Sequence, residues 1–200
     1  MAAPKGVSHA FVPFPFVLAL ALTAALPQLA AAADAKFSGF LCCNMRSDGS
    51  WISDSNYAED GKRVIPAGTP VQVTGYGRYR VNVLIDGKKQ SIGDDYSRDL
   101  GNEAFAQRYV VAQDPTAKLA AYLPKIREAI AANRVTKGMT REQVLMALGY
   151  PITSENPSLD APLWRYWLDS FNEFQVSFDG AGKVEKVTAD PKTQNLVWQP

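Results

Sequence analysis

Fourteen residues, Gly138 to Pro151, constrain this chain more than any other stretch, because both ends of a helix are written into them. Thr140 is a natural N-cap, since its hydroxyl can accept a first-turn backbone N–H. Gln143 stands three residues on and can reach back to the N–H of Thr140, completing a capping box. Met139 before the cap and Val144 after it are placed as a hydrophobic staple. Val144, Leu145 and Leu148 give one core-facing stripe. Gly149 can take the left-handed conformation beyond the last turn, and Pro151 stops the helix from resuming.

The string around this helix carries a family resemblance. Gly138-Met139-Thr140, then Gln143-Val144, then Gly149-Tyr150-Pro151 are followed by Trp164-Arg165-Tyr166, by Val176-Ser177-Phe178-Asp179, and by Gly182-Lys183-Val184. In this order they resemble the BamE-like (SmpA/OmlA) family of small Gram-negative envelope proteins, over roughly Lys125 to Val187. The resemblance implies a helix-and-hairpin fold and work near the outer membrane, in β-barrel protein assembly or envelope integrity. Members of that family are usually tethered by a lipidated N-terminal cysteine. Here Cys42 follows Leu41 and lies beyond the polar Asp34 and Lys36, so a freely diffusing periplasmic protein, or one held at the outer membrane by its partners, is expected instead.

Residues 1–33 have the form of a cleaved secretory signal. Lys5 gives a positive start, Phe11 to Leu26 is largely apolar, and Ala31-Ala32-Ala33 supplies the small-residue site. The unbroken apolar run from Phe16 to Leu26 is too short to cross ~30 Å of hydrocarbon. Without those 33 residues the chain has 167 residues, with 20 basic and 20 acidic side chains. No excess charge then recruits nucleic acid or an anionic bilayer over long range. The single histidine, His9, leaves with the signal. That removes Ser-His and Cys-His catalysis and histidine-bound zinc, and no enzyme, metal or cofactor is expected. Cys42 and Cys43 are the only cysteines. Three states stay open for them: a vicinal disulfide, an intermolecular bridge, or two small buried side chains. The last two are favoured, because neighbouring Cα atoms lie about 3.8 Å apart, below the usual disulfide span.

Residues 34–113 read as a small all-β barrel. Phe40 to Cys43 and Trp51-Ile52 are short apolar runs between turns. Val71 and Val73 share a face, and Tyr79, Val81, Val83 and Ile85 alternate with polar positions. Asp86-Gly87 marks a tight hairpin returning through Lys88 to Ile92. The phrase Ile65-Pro66-Ala67-Gly68-Thr69-Pro70-Val71-Gln72-Val73 resembles bacterial Src-homology-3-like domains, which implies binding of peptides or cell-wall glycans by aromatics such as Trp51, Tyr57, Tyr76, Tyr79 and Tyr96. Gly93 to Asp99 holds Asp94, Asp95 and Asp99 and is expected to be a solvated turn, with Arg98 or Arg108 pairing an aspartate, because the twelve-residue calcium-loop pattern is missing.

Residues 114–190 read as an α+β layer: two helices, then three antiparallel strands. Asp114-Pro115 caps the first helix, within which Pro124 either kinks it or starts another. Trp164 and Tyr166 then face the helices, as do Phe174, Val176 and Phe178. Trp167 and Arg165 are left on the other face beside Gln175. Trp and Arg together mark interaction hot spots. Residues 191–200 read as a polar tail. The expectation for the whole chain is a non-enzymatic periplasmic scaffold that docks an envelope protein through Trp167 and Arg165, or through Trp51, Tyr76 and Tyr96. Peptidoglycan is a further candidate ligand for the barrel. The alternative is a secreted inhibitor, since the same layer resembles the repeats of β-lactamase-inhibitor proteins.

Overall fold

The structure is a computed structural model that describes residues 1–2 and 36–200. The expected signal segment lies outside the described residues. Seven strands come first: β1 (Ser38–Leu41), β2 (Met45–Ser47), β3 (Trp51–Ser53), β4 (Arg63–Ile65), β5 (Pro70–Gly77), β6 (Arg80–Ile85) and β7 (Lys88–Gly93). With β8 (Val110–Val111) they form one sheet in the order β4-β2-β3-β7-β6-β5-β1-β8. Alternation drives its curl. Val71, Val73, Val81, Val83, Ile85 and Ile92 point inward and are all at most 3 % exposed. They close over Phe105, Ala106 and Tyr109 of α1 (Asn102–Tyr109). The result is a half-barrel filled by one helix, with β4 and β8 as its open edges. At the β6–β7 hairpin both Asp86 (φ 51°) and Gly87 (φ 71°) are left-handed, the geometry that matches the twist of paired strands. Tyr79 departs from the expected strand. It sits in the β5–β6 turn at φ 56°, outside the alternating run.

The second layer starts with α2 (Thr116–Ala121) and α3 (Pro124–Ala131). Pro124 therefore opens a second helix instead of kinking the first. It occupies the first turn, where its missing N–H costs nothing. After β9 (Val135–Thr136) comes α4 (Arg141–Leu148), with the capping box made in full. Gln143 N donates to Thr140 Oγ1 at 3.2 Å, and Thr140 N donates to Gln143 Oε1 at 2.8 Å. Gly149 follows at φ 81°. Strands β10 (Leu163–Trp167), β11 (Glu173–Phe178) and β12 (Val184–Ala189) form an antiparallel sheet. Its inner face packs Trp164, Tyr166, Phe174, Val176 and Phe178 on α3 and α4 in one core with Met139 and Val144.

Two features differ from the sequence expectation. Helix α4 buries Met146 and Ala147 as well as Val144 and Leu148, while Leu145 is half-buried. The helix has a second buried side because its backbone touches the first layer: Asn44 N donates to Met146 O at 2.9 Å. The expected polar tail is ordered structure. Asp190 caps α5 (Pro191–Val197) by accepting from Lys192 N and Thr193 N, and β13 (Trp198–Gln199) pairs in parallel with β9. The Asp-Pro start signal resembles that of Asp114-Pro115, but the short polar run after it lacks a helical apolar stripe. Its burial rests on only Thr193 and Val197.

Candidate functional site

The outward face of the three-stranded sheet is built by strand alternation. Trp164 and Tyr166 turn inward, so Arg165 and Trp167 turn outward, both half-buried. Across the strand pair Arg165 stands opposite Gln175, and Trp167 opposite Glu173. The guanidinium is held between two carboxylates, with Arg165 Nε 3.1 Å from Glu173 and 4.0 Å from Glu155. Glu155 also accepts the indole N–H of Trp167 at 2.8 Å. The loop that carries Glu155 is fixed by Asn156. Its side chain accepts from Arg165 N at 2.8 Å and donates to Arg165 O at 3.0 Å, imitating a neighbouring strand. Further out on this face Lys186 and Thr188 are exposed. At the adjacent hairpin Asp169 accepts from the backbone of Phe171 and Asn172, which leaves the Phe171 ring 90 % exposed. The arrangement is a preorganised aromatic-and-charged surface with no nucleophile beside a base.

Of the aromatics named for the barrel, Trp51, Tyr57, Tyr79 and Tyr96 surround the turn after β7. Trp51 lies at the sheet surface, where its indole N–H donates to Asp95 Oδ2 at 3.2 Å and Arg80 covers the ring at 5.4 Å. Tyr96 is close in sequence to Asp95 and is 45 % exposed, with the Tyr57 ring 6.3 Å away. Burial, and then the neighbouring Tyr96, push the Tyr57 hydroxyl up to about 12. Tyr79 is also exposed, with Arg98 stacked 4.5 Å from its centroid. Tyr76 instead packs against the barrel core.

Beneath this patch the acidic turn is not a solvated one. Asp94 is 3 % exposed and Asp54, from the β3 turn, is fully buried. Asp54 accepts from the backbone N–H groups of Asp95 and Tyr96 and so fastens the turn to β3. Desolvation, then the charge of Asp54, raise Asp94 to about 6. Arg98 reaches the backbone oxygen of Asp94 and not its carboxylate, and no described ion pair contains Arg98 or Arg108. The partner of Asp94 missed in the sequence is Asp54, whose Asp-Ser-Asn setting looks like any turn. Among the described residues no group of three metal-ligating side chains is poised to hold an ion.

Cys42 and Cys43 are bonded to each other, the alternative disfavoured from Cα spacing. Cys43 is buried, while Cys42 is half-buried at the wall of a cavity of about 400 Å³ shared with Tyr150, Leu145 and Met146.

The comparison that bears on this geometry concerns the second layer. Residues 125–188 match the family model described as the outer membrane protein assembly factor BamE domain. The matched segment runs from α3 to β12 and contains the capped helix, the Glu155 loop, Arg165 and Trp167. It leaves the half-barrel and α5 outside, and it spans under half of the 200-residue chain. No curated protein and no solved structure matches the chain.

Proposed function

We propose that this protein is a non-enzymatic periplasmic scaffold, made of two modules meeting near Gln113, that serves outer-membrane protein assembly by docking an envelope protein. The observation that carries the reading is the BamE domain at residues 125–188, on whose outward sheet face Trp167 and Arg165 are fixed by Glu155 and Glu173. A surface held in place before contact loses little side-chain entropy on binding, and Trp and Arg are the types that dominate hot spots. No helix among the described residues is long and apolar enough to cross a membrane. The half-barrel patch around Trp51, Tyr79 and Tyr96 supports a second contact, with peptidoglycan or an envelope peptide.

The test is in-cell crosslinking in a Gram-negative host, with a photoreactive side chain at position 167 and mass spectrometry of the adducts. Adducts with outer-membrane assembly components are the expected result. A folded, abundant protein that gives no specific adduct at 167, but gives them from position 96, would move the working surface to the half-barrel.

A further inference from the structure

A second cavity, of about 210 Å³, opens where the half-barrel meets the C-terminal elements, and its lining is chemically uneven. About half of its wall is apolar, from residues that include Leu148, Tyr166, Leu168, Phe174 and Val197. Into this wall β2 delivers Arg46. The guanidinium donates through Nη1 to the main-chain oxygen of Asn56 at 3.0 Å. No described ion pair contains it. A guanidinium has five N–H donors, so one bond to a neutral carbonyl leaves most of its capacity and all of its charge uncompensated. Desolvation also lowers its affinity for its own proton, with no carboxylate opposing. A half-buried cation without a counter-charge is costly, and chains usually supply a partner. Here every acid in the described ion pairs is engaged elsewhere.

Asn133 makes a second polar point on the same wall. It is held at φ 54° beyond α3, and its Oδ1 is buried without a hydrogen-bond donor. The cavity therefore offers a cation and an apolar lining at once, with Asn133 as a further polar residue in its wall. A carboxylate answers the first and an apolar body the second. The volume lies below the ~300–1,000 Å³ of pockets for drug-sized ligands, so it fits a body of about one residue.

We propose that this cavity binds a carboxylate carried on an apolar body, with Arg46 taking the carboxylate; a polypeptide C-terminus ending in an apolar residue and a short free fatty acid share that chemistry. The site shares Trp167 with the outward sheet face, and its dependence on Arg46, which is no part of that face, tells it apart from docking there.

The test is calorimetric titration of the purified chain with three probes: N-acetyl-Leu-Phe as the free acid, the same dipeptide as its C-terminal amide, and hexanoate. The expected result is binding of the acid, with the amide roughly tenfold weaker or worse because one charge-assisted bond is lost. Arg46→Gln should abolish the preference for acid over amide. Since Arg46 also supports Asn56, a second variant guards against a folding artefact. Leu196→Glu places a carboxylate on the exposed rim and should weaken the acid while sparing the amide. Tight hexanoate binding with the same Arg46 dependence supports the site and assigns it to free acids. Equal binding of acid and amide, or no binding of either acid by the folded chain, overturns the proposal.

Discussion

The side-chain amide of Asn44 donates to the main-chain carbonyl of Ile130 at 2.7 Å, across 86 residues of sequence. Asn44 follows the disulfide and Ile130 belongs to α3, so the bond joins the half-barrel to the helix-and-hairpin layer. The same side chain accepts from Ala67 N at 3.0 Å. Asn56 makes a parallel link through Nδ2 to Leu148 O at 2.7 Å, beside Gly149, where a Cβ would press on the Asn56 amide. Asn44→Ala leaves the Ala67 N–H unpaired, worth about 1–3 kcal/mol, and takes one of two donors from the Ile130 carbonyl, which also accepts from Asn133 N at 3.0 Å. Urea denaturation followed by tryptophan emission should show a lower midpoint. A midpoint equal to wild type would mean the latch contributes nothing.

Thr140→Ala removes one half of the capping box at α4. The expected loss is about 0.5–2 kcal/mol, and Thr140→Ser should retain most of it. Thermal melts of the three proteins decide this. If alanine and serine melt together, the cap is not holding the helix.

Trp167→Ala should separate binding from folding. The ring is half-buried and its indole bond goes to a loop carboxylate, so the cost to stability should be about 1 kcal/mol. Partner crosslinking from a neighbouring exposed position such as 186 should fall sharply. Global unfolding of the variant would make Trp167 a core residue and remove it from the docking surface.

Asp94 gives stability an unusual pH dependence. Its folded value, about 6, lies above the ordinary 3.8, because burial and Asp54 disfavour the charged form. The folded chain thus holds this proton more tightly than the unfolded chain. The penalty is absent below the unfolded value, grows as pH rises, and is complete above about 6. Asp94→Asn should therefore be most stabilising, relative to wild type, at pH 7 and least so near pH 4. A difference that is constant over that interval would contradict the burial argument.

The cysteine pair should respond to reagents in order. Intact protein should take up no alkylating agent. Both cysteines line the same cavity, and after mild reduction the half-buried Cys42 should react before the buried Cys43. Adjacent residues close the smallest of loops, so reduction should move the denaturation midpoint little. A large drop would show that the bond props the local backbone directly.

Much of this fold is legible where a residue's local role and its global role coincide. Thr140, Gln143, Asp86-Gly87 and Pro124 act within a few residues of themselves, and each does in the structure what its local chemistry dictates. The alternating valines of β5 and β6 needed only a partner face, and any curled sheet supplies one. Asn44 and Asn56 were illegible because a turn-forming asparagine and a buried latch look identical until the distant carbonyl is in place. Arg46, Asp54 and Glu155 share that property: their partners lie in other elements. The α4 stripe was half right for the same reason, since Met146 became core only when the half-barrel arrived on its side. The outward position of Trp167 followed from strand parity, but Glu155, which fixes the indole, had no signal within its proline-rich loop.

The bond between Cys42 and Cys43 has a consequence for biogenesis. The chain contains two cysteines and they are neighbours. No mispaired intramolecular isomer exists, so no isomerase has shuffling to correct. Both sulfurs enter an oxidising environment together, and the bond requires no prior assembly of β-strands. Once it has formed, the chain presents no thiol through which it could be captured by oxidoreductases or linked to other proteins.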